Sequence, residues 1–207
     1  WQEHFDRPLK EINGIPSDIA LNVADFLKVY LSNIERQTVQ KVSTSNPEAY
    51  QKFQLGNYYY YIKQDNSRLD IAIGFYKECI ELDPDFTMAY IMMARCHMVK
   101  HWYRLDMTDK SLQESEKAIA AAFEIDPSLP IAQLVRGQLY YLGYRDYENA
   151  LYHLEQARSL TPGNAEIIYF LGLVYRRMGK WQKAIEEMEL AHAIDPESVA
   201  VIMNLTE

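Results

Sequence analysis

The stretch FLGLVYRRMGKWQKAIEEMELAHAIDP, residues 170–196, decides the fold. Leu171, Val174, Tyr175 and Met178 recur at three- and four-residue steps, and after Gly179-Lys180 similar steps return in Trp181, Ala184, Ile185, Met188 and Ala191. This periodicity predicts two amphipathic helices joined by a tight turn. Gly179 tolerates the positive φ that ends the first helix, and Pro196 lies just past the second, where its missing N–H does little harm. Gly172 and Ala184 stand inside helices, although an internal glycine costs about 0.5–1 kcal/mol relative to alanine. Their small size predicts a close approach of the two backbones, and hence an αα-hairpin with a planned contact.

One hairpin cannot bury its own apolar face, so the chain must repeat it. Helix-closing prolines stand in IELDPDF (80–86), FEIDPSL (123–129), SLTPGN (159–164) and AIDPES (193–198), separated by 43, 35 and 34 residues. Upstream of each, a first helix carries a small residue and, three positions on, usually a tyrosine: Gly56/Tyr59, Ala94/His97, Gly137/Tyr140 and Gly172/Tyr175. The second helices answer with Ala72 and Cys79, Ser115 and Ala122, Ala150 and Ala157, and Ala184 and Ala191. Insertions account for the uneven spacing: a few residues near KQDNSRLD (63–70), about nine around KHWYRLDMT (100–108), and one in YLGYRDYENA (141–150). The fourth repeat alone is regular.

Gly172, Tyr175, Gly179, Trp181, Ala184, Ala191 and Pro196 together resemble the tetratricopeptide repeat signature, whose period is about 34 residues. The resemblance runs over residues 47–207 as four repeats, with SVAVIMNLTE (198–207) read as the first helix of a fifth, and it implies an all-α αα-hairpin superhelix. That reading also implies an array continuing beyond this sequence.

Residues 1–46 differ from the repeats. An aromatic opening breaks at Gly14-Ile15-Pro16, and a helix is expected from about Ser17, with Ile19, Val23, Phe26, Leu27, Tyr30 and Leu31 on one face. Asn46 is the candidate cap of the next helix. Trp1, Glu3, Phe5, Asp6, Arg7, Leu9, Ile12, Ile15, Asp18, Ile19 and Ala20 resemble the segment that ends a TolB-like domain and precedes tetratricopeptide repeats in bacterial multidomain signalling proteins. The resemblance implies an attached class III cyclase, winged-helix DNA-binding or kinase domain, often with a membrane span, in a protein of which this sequence is the regulatory part. Asn13 and Pro16 stand where many relatives carry Phe and Gln.

Composition narrows the function. A formal charge of −8 argues against a nucleic-acid face, which needs a concentrated basic patch. No apolar run approaches the ~18 residues of a membrane span, which leaves a soluble domain, either cytoplasmic or the extracytoplasmic part of a single-span protein. Two cysteines, Cys79 and Cys96, make no disulfide framework, and Cys79 fills a small-residue position. His97 and His101 share a helix face but lack a third ligand, and His97 occupies the repeat's tyrosine position, so packing is the expected role and no metal or cofactor is assigned. No phosphate-binding loop, nucleophile elbow or C-x-x-C motif is present, and no catalytic residue is assigned.

What remains is surface. Stacked hairpins place their first helices along a concave face, and the alignment of repeats puts Tyr50, Phe53, Asn57, Tyr60 and Tyr61 there, followed by Met88, Ile91, Arg95, Met98 and Val99. Ile131, Leu134, Gln138, Tyr141 and Leu142 follow from the third repeat, and Glu166, Tyr169, Leu173, Arg176 and Arg177 from the fourth. Tyrosine, methionine and arginine are common in protein interfaces. The expected function is a non-catalytic module that binds a protein or peptide segment in this groove. Homodimerisation and small-molecule sensing in a tyrosine-lined pocket are the alternatives. Trp102 and Tyr103 are read either as a contact loop or as a lid over repeat two.

Overall fold

The computed structural model describes residues 15–26, 44–62, 65–106 and 108–205. Among them there are ten helices and no strand. Helix α1 spans Ile15–Phe26. Four hairpins follow: α2 (Pro47–Ile62) with α3 (Asn66–Leu82), α4 (Thr87–Trp102) with α5 (Lys110–Ile125), α6 (Pro130–Leu139, extended by a π-helical turn Tyr140–Tyr144) with α7 (Tyr147–Leu160), and α8 (Ala165–Arg177) with α9 (Trp181–Ile194). Helix α10, Val199–Leu205, stands after them.

The small residues are where the helices meet. Ala72, Cys79, Ser115, Ala122, Ala150, Ala157 and Ala191 are fully enclosed, and Ala184 nearly so. A methyl on Gly172 would come 3.3 Å from the Ala184 carbonyl oxygen, and 3.0 Å from Cε of Met188. The expected backbone approach is therefore real. Where the small residue carries a donor, it uses it across the seam: Cys79 Sγ donates to the Ala49 carbonyl at 3.2 Å, and Ser115 Oγ to that of Ala94 at 3.1 Å.

Each second helix ends alike. The backbone N–H groups of Asp83, Asp126, Thr161 and Asp195 donate to the carbonyls of Cys79, Ala122, Ala157 and Ala191, and a proline follows outside the helix in each case. At the front of the array, Asn46 caps α2: its Oδ1 accepts from the N–H groups of Glu48 and Ala49 at 3.0 and 3.1 Å. Its Nδ2 donates to the Leu82 carbonyl at 3.0 Å, and Thr44 Oγ1 bonds Asp83, so the entry to α2 is tied to the end of α3. Such a cap contributes about 1 kcal/mol.

The core is a chain of clusters, each shared by neighbouring repeats. Phe53 lies between Tyr76 and Phe86, with ring centroids 5.8 and 4.8 Å away, in the cluster joining repeats one and two. Ile91, Ile119 and Val135 belong to the next, and Leu134, Leu154 and Leu171 to the third.

Three expectations need correction. Helix α1 begins at Ile15, ahead of Ser17, and its buried residue is Leu21, whereas Ile19 is exposed; the side chain of Phe26, and Leu27, Tyr30 and Leu31, lie outside the described residues. On α9 the buried stripe is only Ala184, Met188 and Ala191, while Trp181 is 63% and Ile185 49% exposed. That face of α9 has no second layer against it among the described residues. The extra residue of repeat three is absorbed as the π turn, which widens one turn of α6 instead of lengthening the loop.

Candidate partner-binding groove

The groove positions divide by burial. Phe53, Tyr60, Ile91, Met98, Leu134, Gln138, Tyr141 and Leu173 are buried, with Ile91 and Leu134 retaining no exposed surface. Tyr50, Asn57, Met88, Arg95, Val99, Ile131, Leu142, Glu166, Tyr169 and Arg176 are partly buried, and Tyr61 and Arg177 are exposed. Apolar positions at a groove register thus serve packing between consecutive first helices. Surface is kept by Tyr50, Asn57, Tyr61, Arg95, Glu166, Tyr169, Arg176 and Arg177, together with the partly buried Met88, Val99, Ile131 and Leu142.

A polar ladder ties the first helices together. Arg95 on α4 donates from Nη2 to both carboxylate oxygens of Glu166 on α8, at 2.8 and 3.0 Å, and Gln138 Nε2 on α6 donates to the same Oε1 at 2.7 Å. An ion pair between α4 and α8 skips a whole repeat, so the first helices of repeats two, three and four converge on one face. The Arg95 side chain is 14% exposed and that of Glu166 41%. Burial disfavours the Arg95 charge, but the adjacent Glu166 carboxylate together with Tyr60 and Tyr61 offsets it and holds the guanidinium above its ordinary pKa. Burial also pushes the phenol of Tyr60 upward, against the opposing pull of Arg95, so Tyr60 presents a neutral hydroxyl.

The four tyrosines of α2 take separate directions. Tyr60 enters the core, Tyr59 stacks on Phe75 at 5.8 Å, and Tyr58 and Tyr61 are 58% and 68% exposed. At the other end, Arg177 Nε approaches Tyr141 Oη at 3.5 Å.

The remaining chemistry is sparse. Burial lowers the His97 pKa to about 4, which makes it a packed neutral imidazole. Burial raises the Cys79 thiol to about 12 and moves Cys96 in the same direction. Among the described residues no three His, Cys, Asp or Glu side chains are grouped to hold a metal ion, and no helix is long and apolar enough to cross a membrane.

Sequence reasoning missed Trp102, Arg104 and Arg145 as a group. Trp102 is 47% and Tyr103 57% exposed, so neither closes a lid over repeat two; Trp102 instead borders clefts shared with the π turn of repeat three. Aligning HWYRLD and GYRDY with RMGKW would have placed both arginines opposite Gly179.

Residues 141–203 match the family model described as tetratricopeptide repeat. Over 127 residues the chain is 24% identical to anaphase-promoting complex subunit 3 of Schizosaccharomyces pombe, covering 61% of this chain and 18% of that protein. Over 104 residues it is 28% identical to neutrophil cytosol factor 2 of Homo sapiens, covering 42% and 20%. The chain spans about a fifth of the length of these relatives. Among solved structures, Pseudomonas aeruginosa pilF superposes with a TM-score of 0.60 at 21% identity over 76% of this chain and 66% of that one. A thermophilic TPR protein of Thermus thermophilus gives 0.50 at 18%, over 76% and 97%. The first TPR of Spaghetti, bound to an HSP90 peptide, gives 0.51 at 20%, over 67% and 99%. These likenesses are of fold. With paired helices meeting at small residues, the described residues form an αα-hairpin solenoid of the fold seen in tetratricopeptide-repeat structures, and residues 141–203 match that family's model.

Proposed function

We propose that this chain is a non-catalytic interaction module that holds a peptide or protein segment along the face lined by α2, α4, α6 and α8, within the regulatory or sensory part of a bacterial signalling protein. The observation that carries the reading is the Arg95–Glu166–Gln138 ladder. It gathers three first helices onto one face, beside partly exposed Tyr50, Met88, Tyr169 and Arg176. Such a face offers apolar and aromatic contact with cations at one end, which suits a segment carrying a carboxylate. The Spaghetti repeat domain of the same fold holds the peptide SRMEEVD, which supports this class of use. The signalling context rests on the resemblance of Trp1 to Ala20 to the segment that follows a TolB-like domain.

Selection from a random peptide display library tests the groove. Binding of selected peptides should fall at least tenfold in Tyr61→Ala and Arg176→Glu and stay unchanged in Tyr152→Ala, whose residue is 60% exposed on the second helix α7. Loss in Tyr152→Ala with retention in the other two would place the partner on the opposite side.

A further inference from the structure

Two first helices end on a residue that the backbone does not favour. Gly179 closes α8 at φ 73°, and at the same helix-ending position Arg104 closes α4 at φ 53° and Arg145 closes the π turn at φ 56°. After each of these residues the chain closes back on its helix: Lys180 N–H donates to the Tyr175 carbonyl and Leu105 N–H to that of Lys100, five residues back at 2.9 and 2.8 Å, and Asp146 N–H to that of Tyr140, six residues back across the wider π turn at 3.0 Å. Glycine adopts this left-handed conformation without steric cost, and a branched or long side chain does not. The chain therefore carries arginine twice where glycine folds better.

Both side chains border the same cleft, about 390 Å³, which opens between the insertion of repeat two and the π turn of repeat three. A second cleft of about 170 Å³ shares Trp102 and Arg145 and adds Tyr141, Tyr147 and Arg177. Neither Arg104 nor Arg145 pairs with a carboxylate among the described residues. The carboxylate in the lining, Asp106, is already engaged: it accepts from Ser111 Oγ at 2.5 Å, Thr108 Oγ1 at 2.7 Å and Thr108 N–H at 2.9 Å. His101 borders the first cleft, and its Nδ1 is buried without a hydrogen-bond partner among the described residues. Three arginines against one aspartate leave a local charge of about +2 in a chain whose formal charge is −8.

We infer that the joined clefts bind a small phosphate monoester carried on a planar aromatic body. A dianion matches the local charge, whereas a single carboxylate leaves half of it uncompensated, and guanidinium forks fit phosphate oxygens in pairs. Trp102 and Tyr147 supply ring faces for the aromatic part, as aromatic side chains do for nucleobases, with the buried Tyr141 packed behind Tyr147. The two volumes together lie within the usual range of small-molecule sites, about 300–1,000 Å³. The clefts share Leu142, Tyr141 and Arg177 with the groove positions, but Arg104, Arg145 and Trp102, which this test changes, lie outside the groove, whose own test uses Tyr61, Arg176 and Tyr152.

Calorimetric titration with AMP and phenyl phosphate, beside adenosine and inorganic phosphate, tests it. AMP and phenyl phosphate should bind at least tenfold more tightly than inorganic phosphate, and adenosine should not bind. The Arg104→Gly/Arg145→Gly variant should lose at least tenfold in AMP affinity while its melting temperature rises, a combination that misfolding cannot produce. Trp102→Ala should weaken AMP and leave inorganic phosphate unchanged. The inference is overturned if AMP fails to bind at about millimolar concentration, if the double glycine variant binds as the parent does, or if inorganic phosphate equals AMP.

Discussion

The same substitution made at two positions of the first hairpin should change stability in opposite directions. Gly74 stands inside α3, where an added methyl would meet no atom within 4 Å. Alanine there gains helix propensity, about 0.5–1 kcal/mol. Gly56 stands inside α2, where the methyl would lie 2.5 Å from Cε1 of Tyr76 and 2.9 Å from its Cδ1 and Cζ. Carbon contacts are comfortable at about 3.5–4.0 Å, so the ring must retreat by roughly 1 Å. It has no room to do so. Tyr76 is fully buried, its Oη donates to Asn57 Oδ1 at 2.8 Å, and Phe53 lies 5.8 Å away on a tilted face. Overpacking of this kind costs about 1–3 kcal/mol, which after the propensity gain leaves a net loss of about 1–2 kcal/mol. Urea unfolding followed by circular dichroism at one pH should place Gly74→Ala above the parent and Gly56→Ala below it. The thermal midpoints should move by about 2–4 °C per kcal/mol for a chain of this size. Tyr76→Leu should cost less in the Gly56→Ala background than in the parent, because the smaller side chain relieves the crowding. Equal midpoints for the two alanine variants would refute the close approach of α2 and α3.

Glu166→Ala should destabilise the array by about 1–3 kcal/mol, because it strands the mostly buried Arg95 and the Gln138 amide together; Arg95→Met with Glu166→Leu should recover most of that loss, measured by urea midpoints. His97 binds its proton less readily when folded, at about 4 against 6.5 unfolded, so its contribution is complete above pH 6.5 and is lost as pH falls toward 4. The span corresponds to up to about 3 kcal/mol, and His97→Phe should flatten the midpoint-versus-pH curve between these values; an unchanged slope would remove the assignment. Cys79 and Cys96 are fully enclosed, with thiols pushed upward by burial, so a thiol reagent at pH 8 should label the native chain at least a hundredfold more slowly than the chain in urea.

The hairpins were legible because their signals are local. Gly172 with Ala184, or Ala94 with Ser115, announce a contact by size alone, and the cap at Asn46 needs only its neighbours. The face each helix shows depends instead on what stacks against it. Ile91 and Leu134 hold a groove register but are enclosed by adjacent first helices, and Trp181 and Ile185 hold a core register but stand exposed. The Arg95–Glu166 pair joins residues 71 apart in sequence, through a curvature that no pairwise spacing encodes. Arg104 and Arg145 were hidden for another reason: an arginine at a turn looks like ordinary surface until its φ is known.

The π turn at Tyr140–Tyr144 shows how a modular array survives a length change. One surplus residue is swallowed inside a single coil, so every later hairpin keeps its phase and the Arg145 to Tyr147 link stays short. Genetic insertions of this sort need not be pushed outward into a loop. A coil that can locally fatten acts as a shock absorber, and it leaves behind a bend in which new chemistry has room to arise.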